Sequence, residues 1–234
     1  MLAVFVLAGE CSALPSIMNL KLCYITDRRG LEPRPLLPRI LAAIEAGVDL
    51  VQIREQDLPT RELAELVAAA VAAAAGTSAK VLVNDRLDIA LAEGAQGVDL
   101  GGKSIPPEAV RAAVDKLGLP GTFIVGASCH SLEQALAAEA AGADYLLLAP
   151  IFPTPSKLAF GPPLGLERLR EVTARVKTPV FALGGIGVAQ VRSCLDAGAA
   201  GIAGIRIFQE SDALAARVRE LRAQGNSSNC LPGQ

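Results

Sequence analysis

Gln52 and Arg54 stand two apart in VQIRE (51–55), at the end of an apolar run. That spacing puts both side chains on one side of a strand, where polar groups need partners. Either they meet an anionic ligand or they close an internal ion pair with Asp27, Glu55 or Asp85. Asn84 and Asp85 follow a second apolar run. They offer oxygen ligands to a hard cation such as Mg2+, although Asp85 would serve equally as a helix cap or as a partner of Arg86. His130 is the single histidine of the chain. Imidazole alone among side chains has an ordinary pKa near neutrality, so His130 is the candidate for proton transfer. The plainer reading is a surface-loop histidine without a task. The stretch Ala149 to Lys157 holds three prolines together with Thr154, Ser156 and Lys157. Two hydroxyls and an ammonium on a stiff loop suit the oxygens of an anion, whereas the plainer reading is a proline-rich surface loop with an incidental lysine.

These groups need elements to hold them, and the chain repeats one module. An Ala-x-Gly fragment running into an apolar strand occurs at 43–53, 91–101, 139–149 and 195–205, with its glycines at 47, 94, 142 and 198. The spacing is close to two strand-plus-helix units each time, which predicts a single-domain (β/α)8 TIM barrel, with an open doubly wound sheet as the alternative. Glycine stops each Ala- and Leu-rich helix because it accepts positive φ without Cβ strain. Continuous apolar runs such as Tyr145 to Ala149 read as strands buried on both faces. Strands are expected at 20–26, 48–54, 80–84, 97–100, 122–127, 144–149, 179–184 and 200–205. Helices are expected at 59–75, 106–117, 131–141, 187–197 and 211–223. Ser131 and Gln134 form a capping-box pattern, and Arg217, Arg219 and Arg222 are expected in the last turns of the final helix.

In such a barrel the ligand lies at the carboxyl ends of the strands. Gln52, Arg54, Asn84, Asp85, Ser128, His130 and Thr154 all fall there. The loops after strands 7 and 8 carry Gly184, Gly185, Ile205 and Arg206. That is the usual phosphate pocket of these barrels, where glycines expose backbone N–H groups to the anion.

Composition narrows the function classes. A mean hydropathy of +0.40 with 20% charged residues describes a globular chain with a large core. A formal net charge of −2 supplies no broad cationic field, so nucleic acid and anionic membrane are excluded as partners and any anion is met locally. Five cysteines at 11, 23, 129, 194 and 230 are odd in number and widely spaced, as in a reducing cytoplasm. No later stretch is long and apolar enough to span a bilayer. Residues 1–17 lack a basic residue ahead of their apolar run and read as a dispensable extension, because Met18 precedes the first strand directly. The barrel is assigned to 18–223, and the polar tail 224–234 reads as loose.

In order along the chain, YITD (24–27), VQIRE (51–55), NDRLDIAL (84–91), LGG (100–102), SCHSLEQA (128–135), ADYLLLAPIFPTPSK (143–157), PPLGLERL (162–169) and PVFALGGI (179–186) resemble the motifs of the thiamine phosphate synthase/TenI family. The resemblance runs from about Leu20 to Gln209 and implies a phosphate-binding barrel of thiamine biosynthesis. It implies one of two activities on a small phosphorylated thiazole. The synthase joins hydroxymethylpyrimidine diphosphate to thiazole phosphate and releases diphosphate with Mg2+. The tautomerase moves a proton on a thiazole carboxylate phosphate and needs no cofactor. By the resemblance, Gln52, Arg54, Asn84, Asp85, Ser128, Thr154, Ser156 and Lys157 correspond to diphosphate, pyrimidine or metal contacts of the synthase, with Asp85 a metal ligand only in that case. His130 corresponds to the catalytic histidine of the tautomerase. Relatives often self-associate, so a homo-oligomer is in keeping with it.

The departures divide. Gln56 stands where the synthase pattern has a lysine, Ser104 where it has a second metal carboxylate, and Arg206 where it has a serine. The segment 101–111 resembles the tautomerase branch, whereas Asp85 and Gln52 are synthase-like. A leaving diphosphate needs preorganised cations, so loss of two charged contacts weighs more than retention of two polar ones. The lead expectation is therefore a thiazole tautomerase with His130 as proton shuttle. The synthase is the first alternative and a non-catalytic phosphate-binding regulator the second.

Overall fold

The computed structural model describes residues 20–119, 121–154 and 162–226. Eight strands, β1 (Lys21–Ile25), β2 (Leu50–Ile53), β3 (Lys80–Asn84), β4 (Gly97–Leu100), β5 (Ile124–Cys129), β6 (Tyr145–Leu148), β7 (Val180–Leu183) and β8 (Gly201–Gly204), pair in parallel with their sequence neighbours. The ladder from Lys21–Tyr24 to Gly201–Gly204 closes the barrel. Around it lie α1 (Arg28–Leu31), α2 (Leu36–Glu45), α3 (Thr60–Ala74), α4 (Leu87–Ala92), α5 (Pro107–Lys116), α6 (Leu132–Ala140), α7 (Gly165–Thr173), α8 (Val188–Asp196), α9 (Arg206–Gln209) and α10 (Leu214–Asn226).

The repeated glycines do what their spacing predicts. Gly47, Gly94, Gly142 and Gly198 have φ of 90, 70, 86 and 89°. Two residues after three of them, a polar side chain caps the foot of the preceding strand: Asp49 accepts from Leu22 N (2.8 Å), Gln96 from Val81 N (2.9 Å) and Asp144 from Val125 N (2.8 Å). Each of these three modules thus ends its helix and seals the neighbouring strand within four residues. Arg222 adds to this floor by donating to the carbonyls of Leu20 and Gly47 and to Asp49. The final helix runs to Asn226, so Arg217 and Arg219 lie inside it, and the basic last turn expected from the helix dipole is not found. Arg222 is held by the barrel floor instead.

Strand parity sorts two cores. Residues such as Val51, Val81, Val83, Val98, Val125, Leu146 and Leu148 face the helices. Cys23, Ile25, Leu50, Leu82, Tyr145, Leu147, Phe181 and Ala203 fill the barrel interior. Glycines make room for the large rings. A Cβ on Gly126 would lie 2.2 Å from the Tyr145 ring, and one on Gly201 3.0 Å from Phe181. Cys23, Cys129 and Cys194 are buried free thiols.

Candidate active site at the barrel mouth

The same parity places Gln52, Asn84, Asp99 and Ser128 in the upper interior on four successive strands. The registers agree: Gln52 pairs with Leu82, Asn84 with Asp99, Asp99 with Gly126, and Ser128 with Leu147. Gln52 Nε2 donates to Asn84 Oδ1 (3.1 Å), and Asn84 Nδ2 donates to Asp85 Oδ2 (2.7 Å). On the other side, Ser128 Oγ donates to Asp99 Oδ1 (3.0 Å) and Tyr145 Oη to Asp99 Oδ2 (2.8 Å). The β2–β5 sector of the mouth is therefore polar. The opposite sector is lined by Leu147, Phe181, Leu183, Ala203 and Ile205.

Asp99 is fully buried, and burial pushes its carboxyl up to about 6, with Tyr145, Ser128 and Gln52 drawing it part of the way down. At neutral pH it is ionised for the most part. The Tyr145 phenol is raised well above its ordinary value by burial and by Asp99, so it keeps its proton and donates. Asp99 was absent from the residues expected at the site. Its signal was a carboxylate in the middle of the short strand Gly97-Val98-Asp99-Leu100, where a buried charge needs partners.

Asp85 stands free of both plainer roles. Arg86 pairs with Asp88 (2.7 Å), and α4 has no side-chain cap. Asp85 is exposed, holds φ at 61°, and its Oδ1 accepts from Ser104 Oγ and from Gly101 N (3.3 Å). Non-glycine residues take that conformation rarely, and Asp is among those that tolerate it. Among the described residues no group of three His, Cys, Asp or Glu gathers into a metal cage. The exposed Asp85 carboxylate fits Mg2+, which is commonly held by one or two carboxylates together with substrate phosphates.

The expected pairing of Gln52 with Arg54 is altered. Strand β2 stops at Ile53, because the Arg54 N–H turns to the Thr26 hydroxyl (2.9 Å). Gln52 is then only 1% exposed while Arg54 is exposed, and the two side chains occupy different environments. The internal ion pair is not found either. Glu55 is buried, with burial raising its carboxyl, and it binds Arg28 N (3.1 Å). Arg54 has no ion-pair partner among the described residues. It lines a cleft of about 260 Å³ with Asp27, Arg29, Glu55, Gln56 and Asp57.

Strand β5 runs two residues further than expected, so Ser128 lies on the strand and His130 directly follows it. His130 is exposed, and its Nδ1 lies 2.7 Å from the Ala149 carbonyl oxygen. A carbonyl only accepts, so Nδ1 carries the proton and Nε2 is the open nitrogen of the neutral ring. Ser131 caps α6 by accepting from Gln134 N (3.2 Å), and Gln134 Oε1 accepts from His130 N (2.8 Å). The capping pattern thus also fixes the His130 backbone.

Thr154 is half-buried in the loop after β6, whereas Ser156 and Lys157 lie outside the described residues. Gly184 and Gly185 have φ of 98 and 66°. A Cβ on Gly184 would lie 2.9 Å from Pro150 Cα, and one on Gly185 2.5 Å from the Pro153 carbonyl oxygen. Close approach of the two loops therefore requires both glycines whether or not an anion binds. Among the described residues no acceptor takes the N–H of Gly185, Ile186, Ile205 or Arg206. Arg206 is exposed at the start of α9 and has no ion pair among the described residues. No helix of the described residues is long and apolar enough to cross a membrane.

A family model described as thiamine monophosphate synthase matches residues 22–208. A Geobacter sulfurreducens protein provisionally named thiamine-phosphate synthase is 45% identical over 186 residues, covering 80% of this chain and 85% of its own. The thiamine-phosphate synthase of Desulfitobacterium hafniense strain Y51 is 38% identical over 202 residues, covering 85% and 94%. Among solved structures, thiamine phosphate pyrophosphorylase from Pyrococcus furiosus superposes with a TM-score of 0.77 at 37% identity, covering 90% of this chain and 98% of that one.

Proposed function

The chain belongs to the thiamine monophosphate synthase family, and from that premise we propose that it is the condensing enzyme, a Mg2+-dependent thiamine phosphate synthase. This reverses the order of the two expectations. The relatives bear the synthase name, and the observation within the chain that carries the reading is Asp85. Its carboxylate is exposed, conformationally constrained and bound by neither a helix end nor an arginine.

In this reading hydroxymethylpyrimidine diphosphate lies across the β2–β5 sector. Mg2+, when bound, supplies positive charge against the departing diphosphate. Asp85 would hold it, with Asn84 beside it. Arg54 presents an unpaired guanidinium to the diphosphate oxygens, and Lys157 is assigned there by the sequence alone. The pyrimidine–CH2 bond to the diphosphate oxygen breaks with its electron pair leaving on oxygen, and the thiazole nitrogen forms the new bond to that carbon. The thiazole phosphate is assigned to the N–H groups of Gly185, Ile205 and Arg206, with Thr154 nearby. The apolar sector of Leu183, Ala203 and Ile205 suits the body of a heterocycle.

One observation favours the tautomerase: His130 Nε2 is open while Nδ1 is anchored on Ala149. A proton shuttle needs that arrangement. The purified chain with both substrates and Mg2+ separates the two readings. The synthase reading expects thiamine phosphate at an ordinary enzymatic rate, and Asp85→Ala lowers it at least 100-fold. If no thiamine phosphate forms while the chain aromatises thiazole carboxylate phosphate, and His130→Ala abolishes that, the tautomerase replaces it.

A further inference from the structure

We infer that Asp99 is a positioning residue that turns Ser128 and Gln52 into hydrogen-bond acceptors toward the mouth, so that this sector receives an N–H donor of the ligand rather than a phosphate oxygen. The hydrogen-bond directions lead to this assignment. An ionised carboxylate accepts and never donates. Tyr145 occupies Oδ2 at 2.8 Å, and Ser128 Oγ lies 3.0 Å from Oδ1. Ser128 owns a single proton, which this contact uses. What it shows the ligand is lone pairs.

The Gln52 amide follows the same rule. Its Nε2 donates to Asn84 Oδ1, and Asn84 Nδ2 donates in turn to Asp85 Oδ2. Donors therefore run from Gln52 through Asn84 to one carboxylate, with the second carboxylate of Asp99 close by. Turning the Gln52 amide over would set its oxygen against both the Asn84 oxygen and the negative field of Asp99. The arrangement leaves Gln52 Oε1 buried and without a partner among the described residues. A buried acceptor in that condition calls for a donor. Two acceptors, Oε1 and Ser128 Oγ, repel a phosphate oxygen and complement an amino group or a ring N–H. The inference rests on the synthase reading for the identity of the ligand.

Asp99→Asn keeps the shape and introduces an amide donor, so the Ser128 proton is released and the Gln52 amide is free to turn. Calorimetric titration of the full chain and this variant compares hydroxymethylpyrimidine diphosphate with inorganic diphosphate, each with Mg2+. The expected result is a loss of at least tenfold in affinity for the pyrimidine compound, with inorganic diphosphate bound within twofold of the parent and the variant folded by circular dichroism. Equal affinities in both proteins, or an equal loss for both ligands, would overturn the inference. Should the parent bind neither compound, the synthase reading fails on its own. Crystal structures of parent and variant then decide the inference: a changed Ser128 or Gln52 conformation supports it, and unchanged side chains overturn it.

Discussion

Asp99 shows how a single carboxyl couples stability to the site. Its ordinary value is 3.8 and in the fold it titrates at about 6, so the folded state holds the proton more tightly than the unfolded chain does. The associated stability is complete below about pH 4 and is lost as pH rises through 6. The loss is on the order of 3 kcal/mol. Asp99→Asn removes it, so the melting temperature of the variant relative to the parent should rise steadily between pH 4 and 7. A difference independent of pH would show that Asp99 is not the titrating group. Such a cost is in keeping with a residue retained for what it orients, since a buried carboxylate adds little stability by itself. At the same scale, Arg54→Ala should raise the KM for the diphosphate substrate about tenfold with little change in melting temperature, because the guanidinium is exposed and has no ion-pair partner among the described residues.

At the scale of elements, glycine is what lets β5 and β6 share the interior. Tyr145 lies across Gly126, whose added Cβ would fall 2.2–2.4 Å from the ring and hydroxyl. Gly126→Ala must displace the ring and with it the bond to Asp99. Overpacking costs about 1–3 kcal/mol, and the freed carboxylate adds to that. Thermal unfolding at pH 7.5 checks this, and a variant as stable as the parent would mean that Tyr145 is not held there. The strand order was plain from the Ala-x-Gly modules, because a helix stop followed by an apolar run is local chemistry. The end of β5 was not. Ser128 and Cys129 join the strand because they pair with Leu147 and Leu148 of β6, and that neighbour is distant in the chain.

For the whole molecule, closure depends on the β1–β8 ladder, which begins at Lys21, directly after the buried Leu20. A chain begun at Met18 therefore retains every ladder of the barrel. It should melt within about 2 °C of the full chain if residues 1–17 are the dispensable extension that the sequence suggests. A large drop in melting temperature would show that residues 1–17 contribute to the fold. Binding at the whole-molecule scale is local: a net charge of −2 leaves anion capture to a few groups at the mouth.

What could be read from the residues alone was the barrel, the order of its strands and the placing of Gln52, Asn84, Asp85 and His130 at its carboxyl end. Those features follow from spacing, glycine punctuation and apolar runs, all of which act over a few neighbouring residues. The tertiary structure supplied the partners: Arg54 without an ion pair among the described residues, Asp85 bound by Ser104, and Asp99 joined to Ser128 and Tyr145 across separations of 29 and 46 residues. Such contacts depend on which strands are adjacent and on which parity faces inward. A side chain's hydrogen-bond direction is set by neighbours that only the closed barrel brings together.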